Sequence, residues 1–214
     1  METKQYRPLF SLSQPLVLAS GSPRRQLFLQ EWGLEFSVHV PSIDEPLPMQ
    51  GEAPAAYALR AALAKGRAVA ASHPHSIVLA ADTIVALGHS ILGKPPHAAA
   101  ALAMLQQLVG KTHQVITAVC LSLPQGQGLP QEQSFTCACD VTFAPWSSPV
   151  LAAYVRTGEP MDKAGAYAIQ GQGAFLVSSI HGSWSTVVGL PVTEIAQRLE
   201  AAGLLHPAAK SPAA

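Results

Sequence analysis

The run SIVLAADTIVAL, Ser76 to Leu87, constrains this chain more than any other stretch. Apart from Ser76 at its start and Asp82 and Thr83 within it, it is apolar throughout and lacks the alternation of a strand with one face in water. It predicts a strand over 76–87 that is covered on both faces, which calls for packed layers on either side. Asp82 is costly there. A buried carboxylate without a partner loses its hydration, so Asp82 should meet a cation, a metal or a ligand at a cleft. The plainer alternative has Asp82 capping a strand end or turning the chain.

Helices and strands mix around this run. Leu16–Leu18 reads as a short strand, followed by turn residues Ser20, Gly21, Ser22 and Pro23 and then a helix. Pro23 suits its first turn and Ser22 its N-cap. AAYALRAALAKGRAVAAS (55–72) has apolar residues at helical spacing, and PHAAAALAMLQQLVG (96–110) is a helix starting near Pro96 and closed by Gly110. THQVITAVCLSL (112–123) and QSFTCACDVTF (133–143) are strands that pair across the Gln/Gly/Pro loop at 124–133. SPVLAAYVRTGEP (148–160) is a helix capped by Ser147 or Ser148, GAFLVSSIHGS (173–183) a strand, and GLPVTEIAQRLEAAGLL (189–205) a closing helix. The expected class is α/β with a mixed sheet. Residues 1–15 are expected as a loosely held extension, 16–205 as one domain, and 206–214 as a disordered tail.

Composition narrows the function. With 13 basic and 13 acidic residues the net charge is zero, so no general attraction to nucleic acid is expected and a phosphate ligand must be held by local groups. No apolar run is long enough to cross a bilayer, and the N-terminus has no signal pattern, so no membrane partner is expected. Cys120, Cys137 and Cys139 are an odd set without framework spacing, which points to a reducing compartment and a cytoplasmic protein. A zinc site would want more ligands. His73 and His75 read as a polar turn, and the Gly-rich AGAYAIQGQGAF fails the dinucleotide spacing.

Four charged stretches carry the chemistry. Arg24 and Arg25 fall in the first turn of a helix, where cations are unfavourable unless an anion arrives. Backbone amides, serine hydroxyls and two guanidinium groups together suit phosphate. Lys94 (GKPP) and Asp44–Glu45 (DEP) sit on stiff, proline-flanked backbone. Each has a plain reading as a solvated loop residue. Taken together with Asp82, they are the parts that hydrolysis of a nucleoside triphosphate needs. Carboxylates hold a divalent cation, cations hold phosphate charge, and a carboxylate takes a proton from water.

The stretches LASGSPRRQLFLQEWG, DE (44–45), AADTIV, GKP, the pattern through KTHQVITAV, and GEPMDKAGAYAIQGQGAFLVSSIHGSWSTVVGLPV occur in this order over about residues 16–200. In this the chain resembles the Maf family of nucleotide pyrophosphatases. The resemblance implies a two-lobed α/β fold around a deep cleft, a mixed twisted sheet with flanking helices similar to inosine triphosphatases. It implies cleavage between the α- and β-phosphates, dependent on a divalent metal such as Mg²⁺ or Mn²⁺, giving a monophosphate and pyrophosphate. By resemblance, Asp82 is the proton acceptor, Glu45 and Lys94 its acidic and basic partners, and Glu45 with Asp82 the metal ligands. Ser20, Ser22, Arg24, Arg25 and Lys65 would bind substrate, with Asp162, Lys163 and AYAIQG on the opposite wall. Arg24, Thr83 and Gln170 match the dTTP/UTP branch rather than the 7-methyl-GTP branch; Gln170 could pair with a pyrimidine edge. The resemblance leaves open a 7-methyl-GTP pyrophosphatase, a non-catalytic nucleotide-binding regulator of cell division, and a homodimer. His113 also matches a family position and is expected to be structural. Trp184, the N-terminal extension and the Pro/Ala tail depart from the pattern.

Overall fold

The computed structural model describes residues 7–124 and 131–209. In chain order the strands are β1 (Phe10–Leu12), β2 (Leu16–Leu18), β3 (Ser37–Val38), β4 (Ile77–Leu87), β5 (Ser90–Leu92), β6 (Thr112–Ser122), β7 (Glu132–Phe143), β8 (Val177–His181) and β9 (Leu205–Pro207). The helices are α1 (Pro23–Glu31), α2 (Pro54–Ala70), α3 (Ala98–Leu108), α4 (Ser148–Arg156), α5 (Trp184–Val188) and α6 (Val192–Ala201).

The long apolar run is the centre of a seven-stranded mixed sheet of order β3-β2-β4-β6-β7-β8, with β5 added on β4. Strands β3, β2 and β4 run parallel, and β4, β6, β7 and β8 pair antiparallel, β6 and β7 as the long hairpin expected. Both faces of β4 are covered, as its composition demands. Its odd residues Ile77, Leu79 and Ala81 pack with Leu29 of α1 and Ile195 and Leu199 of α6. Its even residues Val78, Ala80 and Ile84 face α2, meeting Val69, Ala58 and Ala62. α2 lies close to the sheet because Gly66 faces it: a Cβ there would stand 2.5 Å from the Cys120 sulfur. Val85, at the far end of β4, belongs to a second core with Leu105 of α3 and Leu151 of α4.

The strand pairing creates an opening. β6 occupies one edge of β4 from Val78 to Ala86. On the other edge, β2 pairs only with Ile77–Leu79, and β5 begins only at Val85. Among the described residues no strand pairs with 80–84 on that side, and Asp82 and Thr83 lie at the middle of the gap. The two cores lie on either side of it.

Several elements differ from the sequence reading. Phe10–Leu12, placed in the extension, and Leu205–Pro207, placed at the end of the closing helix and the start of the tail, pair antiparallel and tie the two ends of the described chain together. The strand expected over 173–183 begins only at Val177, because Gly171–Leu176 forms 3-10 turns. Glu159 accepts the N–H groups of Gln172 and Gly173 and gathers those turns. Ser22 stands at the N-cap of α1 but its hydroxyl makes no cap bond; Ser20 Oγ accepts the Ser22 N–H instead, at 3.3 Å. Helix α3 is capped by the His97 ring, which accepts the Ala100 N–H. Residues 1–6, 125–130 and 210–214, including most of the expected tail and most of the loop expected at 124–133, lie outside the described residues.

Candidate functional site

Consecutive residues in a strand point to opposite faces, so Asp82 and Thr83 build two different groups around the opening. Asp82 faces α2. One Lys65 Nζ donates to Asp82 Oδ1 at 2.6 Å and to Glu45 Oε1 at 2.7 Å. The side chains of Lys65 and Asp82 are 14% and 15% exposed, that of Glu45 62%, so the ion triad is dry on the strand side and wet on the loop side. Burial works against the Lys65 ammonium, but Asp82 and Glu45 outweigh it and its pKa stands above the ordinary lysine value. The hydrogen bond from Lys65, and then its charge, hold Glu45 below the ordinary carboxylate range, and Lys94 contributes to the same field. Tyr57 lies two helical turns before Lys65 on the same stripe of α2. Burial pushes its phenol up, and Asp82 and Glu45 add to this.

Thr83 faces the other way, toward α1 and α5. Arg25 donates from Nε to the Gly189 carbonyl at 2.8 Å, from Nη1 to Ser20 Oγ at 2.9 Å, and from Nη2 to Thr83 Oγ1 at 3.1 Å. All three acceptors are neutral. Burial pulls the guanidinium down to about 10, with Asp82 opposing, so it remains a cation at neutral pH. Arg24 donates to the Val188 carbonyl at 3.4 Å. Gly189 is at φ +118°, and a Cβ on it would stand 3.2 Å from Thr83 Oγ1. Gly189, placed by the sequence at the start of the closing helix, is a wall of this group.

Among the described residues, no ion pair within 4.0 Å includes Arg24, Arg25 or Lys94. The sequence-derived residues therefore divide. Glu45, Lys65 and Asp82 meet directly, as do Ser20, Arg25 and Thr83, with Ser22 joined through its backbone. Lys94 is exposed after β5, where the Gly93 carbonyl accepts the Gly165 N–H at 3.1 Å. Gln170 is half-buried on extended backbone before the 3-10 turns, and no hydrogen bond joins it to either group. Lys163 bonds Asp162 and the Glu159 carbonyl. His113 is buried against Tyr167 Oη at 2.8 Å, and burial pulls it down to about 4, which fits a structural neutral ring.

The Maf-like protein model matches residues 15–202. The chain belongs to the Maf-like protein family. A relative from Nitratidesulfovibrio vulgaris named dTTP/UTP pyrophosphatase is 52% identical over 199 residues, covering 92% of each chain. One of the same name from Myxococcus xanthus is 50% identical over 192 residues, covering 90% of this chain and 94% of that one. A solved nucleoside-triphosphatase / dITP/XTP pyrophosphatase from Mycobacterium abscessus aligns over 89% of this chain and 97% of its own, with TM-score 0.44 and 16% identity.

This Maf-like chain also uses residues the sequence reading passed over. Thr117 and Gly189 belong to the guanidinium group, and Tyr57 sits beside the carboxylates. Glu52 accepts from Arg60 Nε at 2.8 Å and Nη2 at 2.6 Å and from the Met49 N–H at 2.9 Å, pinning the segment that follows Glu45. The signal for Thr117 was present: it is a single hydroxyl inside the apolar run VITAVC, as Asp82 is a single carboxylate inside its own.

Proposed function

We propose that this protein hydrolyses nucleoside triphosphates between the α- and β-phosphates, with dTTP and UTP as preferred substrates. The observation that carries this reading is Arg25, a partly enclosed cation bonded, among the described residues, only to neutral oxygens and facing an opening whose other side holds Asp82. A half-buried cation that forms no direct ion pair is suited to hold an anion. The names of its relatives and its membership of the Maf-like family agree with a triphosphate as that anion.

The roles follow from the chemistry of each group. Arg25 and Arg24 hold phosphate oxygens from the α1 side and Lys94 from the β5 side. Lys65, bound to two carboxylates, exchanges one of them for a phosphate oxygen. Asp82 accepts the proton of the attacking water. Gln170 presents an amide to a pyrimidine edge.

The donor set fits a divalent cation of the Mg²⁺ or Mn²⁺ kind. Asp82 and Glu45 supply hard oxygens converging on one point, now marked by the Lys65 ammonium. Two carboxylates would leave such an ion to be completed by phosphate oxygens and water rather than caged by protein. Such an ion, when bound, would stabilise developing charge on the phosphates.

The test is pyrophosphate release by purified protein with Mg²⁺ or Mn²⁺ across dTTP, UTP, CTP, ATP, GTP and 7-methyl-GTP. Preferred turnover of dTTP and UTP is expected. Asp82→Asn should lower kcat by about 10²–10⁴-fold with KM little changed. Preference for 7-methyl-GTP would overturn the substrate assignment. Nucleotide binding without turnover would overturn the enzymatic reading.

A further inference from the structure

Thr117 is fully buried on β6, directly opposite Thr83 of β4 in the antiparallel register. The two side chains share a face, and their hydroxyl oxygens are 2.9 Å apart. Counting hydrogens fixes which one donates. Thr117 Oγ1 is 2.7 Å from the Thr186 carbonyl oxygen, and a carbonyl can only accept, so the one Thr117 hydrogen is committed there. Thr83 must therefore donate to Thr117. Thr83 in turn accepts from Arg25 Nη2. The result is a one-way chain from Arg25 through Thr83 and Thr117 to the Thr186 carbonyl.

The chain ends on the same segment that Arg25 grips directly. Arg25 Nε holds the Gly189 carbonyl, three residues beyond Thr186. The guanidinium is thus held to the end of α5 by a direct arm and by a relayed arm through two strands. Chains of this kind strengthen one another in a low-dielectric interior, and they lose most when a middle member is removed.

We propose that Thr117 is a positioning residue, whose hydroxyl fixes the orientation of Arg25 for its anionic ligand without touching that ligand. This rests on the reading of Arg25 as a phosphate-binding group. A buried hydroxyl is otherwise a poor choice in a strand whose same-face neighbours are Val115 and Val119. Valine has the shape of threonine and would fill the site. With valine at 117, however, Thr83 loses its acceptor and is free to turn its hydrogen away from the line that aims Arg25.

The experiment compares Thr117→Val and Thr117→Ser, with Val141→Ala as a variant that weakens the other core without touching the chain. Two readouts are taken. One is kcat and KM for dTTP with Mg²⁺. The other is hydrogen exchange of the Arg25 Nε–H in nucleotide-free protein, followed by ¹⁵N NMR and assigned by its loss in Arg25→Lys. Thr117→Val should raise KM and speed the exchange each by about tenfold or more, beyond any change in kcat. Thr117→Ser should stay within about twofold of wild type in both. Wild-type exchange in Thr117→Val would overturn the proposal. So would Val141→Ala matching Thr117→Val at equal loss of Tm. If the wild type releases no pyrophosphate, the triphosphate reading fails, and the exchange measurement still decides the role of Thr117.

Discussion

The two faces of β4 at the opening are built to different standards of rigidity. On the Thr83 face, Arg25 has three hydrogen bonds, to the loop after β2, to β4 and to the residue after α5. On the Asp82 face, Glu45 is 62% exposed on a segment without regular structure, and among the described residues its carboxylate is held by Lys65 alone. A group whose task is to hold phosphate gains from being fixed before the ligand arrives. A group that must exchange one partner for another gains from being half in water. Under the proposed function, the difference suits the rigid face to recognition and the adjustable one to chemistry.

The largest effect expected on the rigid face is that of Arg25→Lys. One ammonium cannot reach three acceptors arranged around a planar fork, so kcat/KM for dTTP should fall by about a hundredfold. A loss under fivefold would mean that the fixed geometry is not used. Next comes Gly189→Ala, which places a Cβ 3.2 Å from Thr83 Oγ1 at a φ of +118°. It should lower kcat/KM by about tenfold and Tm by several degrees. Loss of Tm with unchanged KM would remove Gly189 from the binding wall. On the adjustable face, Glu52→Gln loosens the clamp on Leu47–Glu52 but keeps an acceptor for Arg60 and the Met49 N–H, so it should raise KM only about threefold. A larger change would show that the loop is more tightly set than its exposure suggests.

Acid should separate the faces with the smallest perturbation. Glu45 has its folded pKa held below the ordinary value, chiefly by the Lys65 hydrogen bond. Its contact is therefore complete above the unfolded pKa and lost as pH falls through the lower folded one. The acceptors of Arg25 are hydroxyls and a carbonyl, which do not titrate there. In an NMR titration from pH 7 to pH 3, Glu45 and Lys65 signals should move below about pH 4.5 while the Arg25 Nε–H stays. Movement of Arg25 in the same step would join the two faces into one unit.

What could be read from the chain follows this division. Asp82 and Arg25 were legible because each contradicts its surroundings: a carboxylate in an apolar strand, a cation at a helix N-terminus. Their partners were less so. Lys65 is an ordinary residue of an alanine-rich helix, and it meets Asp82 only because α2 packs on the sheet through Ala58, Ala62, Gly66 and Val69. The opening itself has no local signature, since it arises from β2 and β5 sharing one edge of β4 without meeting. The pairing of Phe10–Leu12 with Leu205–Pro207 was missed for a similar reason: two three-residue strands far apart in sequence carry no periodicity. The strand placed over 173–183 was too long because side chains decided it. Glu159 binds the N–H groups that a ladder would have used.

An unpaired stretch of strand is ordinarily a hazard, because its free N–H and C=O groups accept any extended chain that can lie beside them. The stretch at 80–84 is closed at both ends, by β2 on one side and β5 on the other. It is about 17 Å long and has no open end from which a foreign strand could continue. The protein can therefore leave this stretch of edge without a neighbouring strand while guarding against edge-to-edge aggregation there, because the edge has been made into a notch.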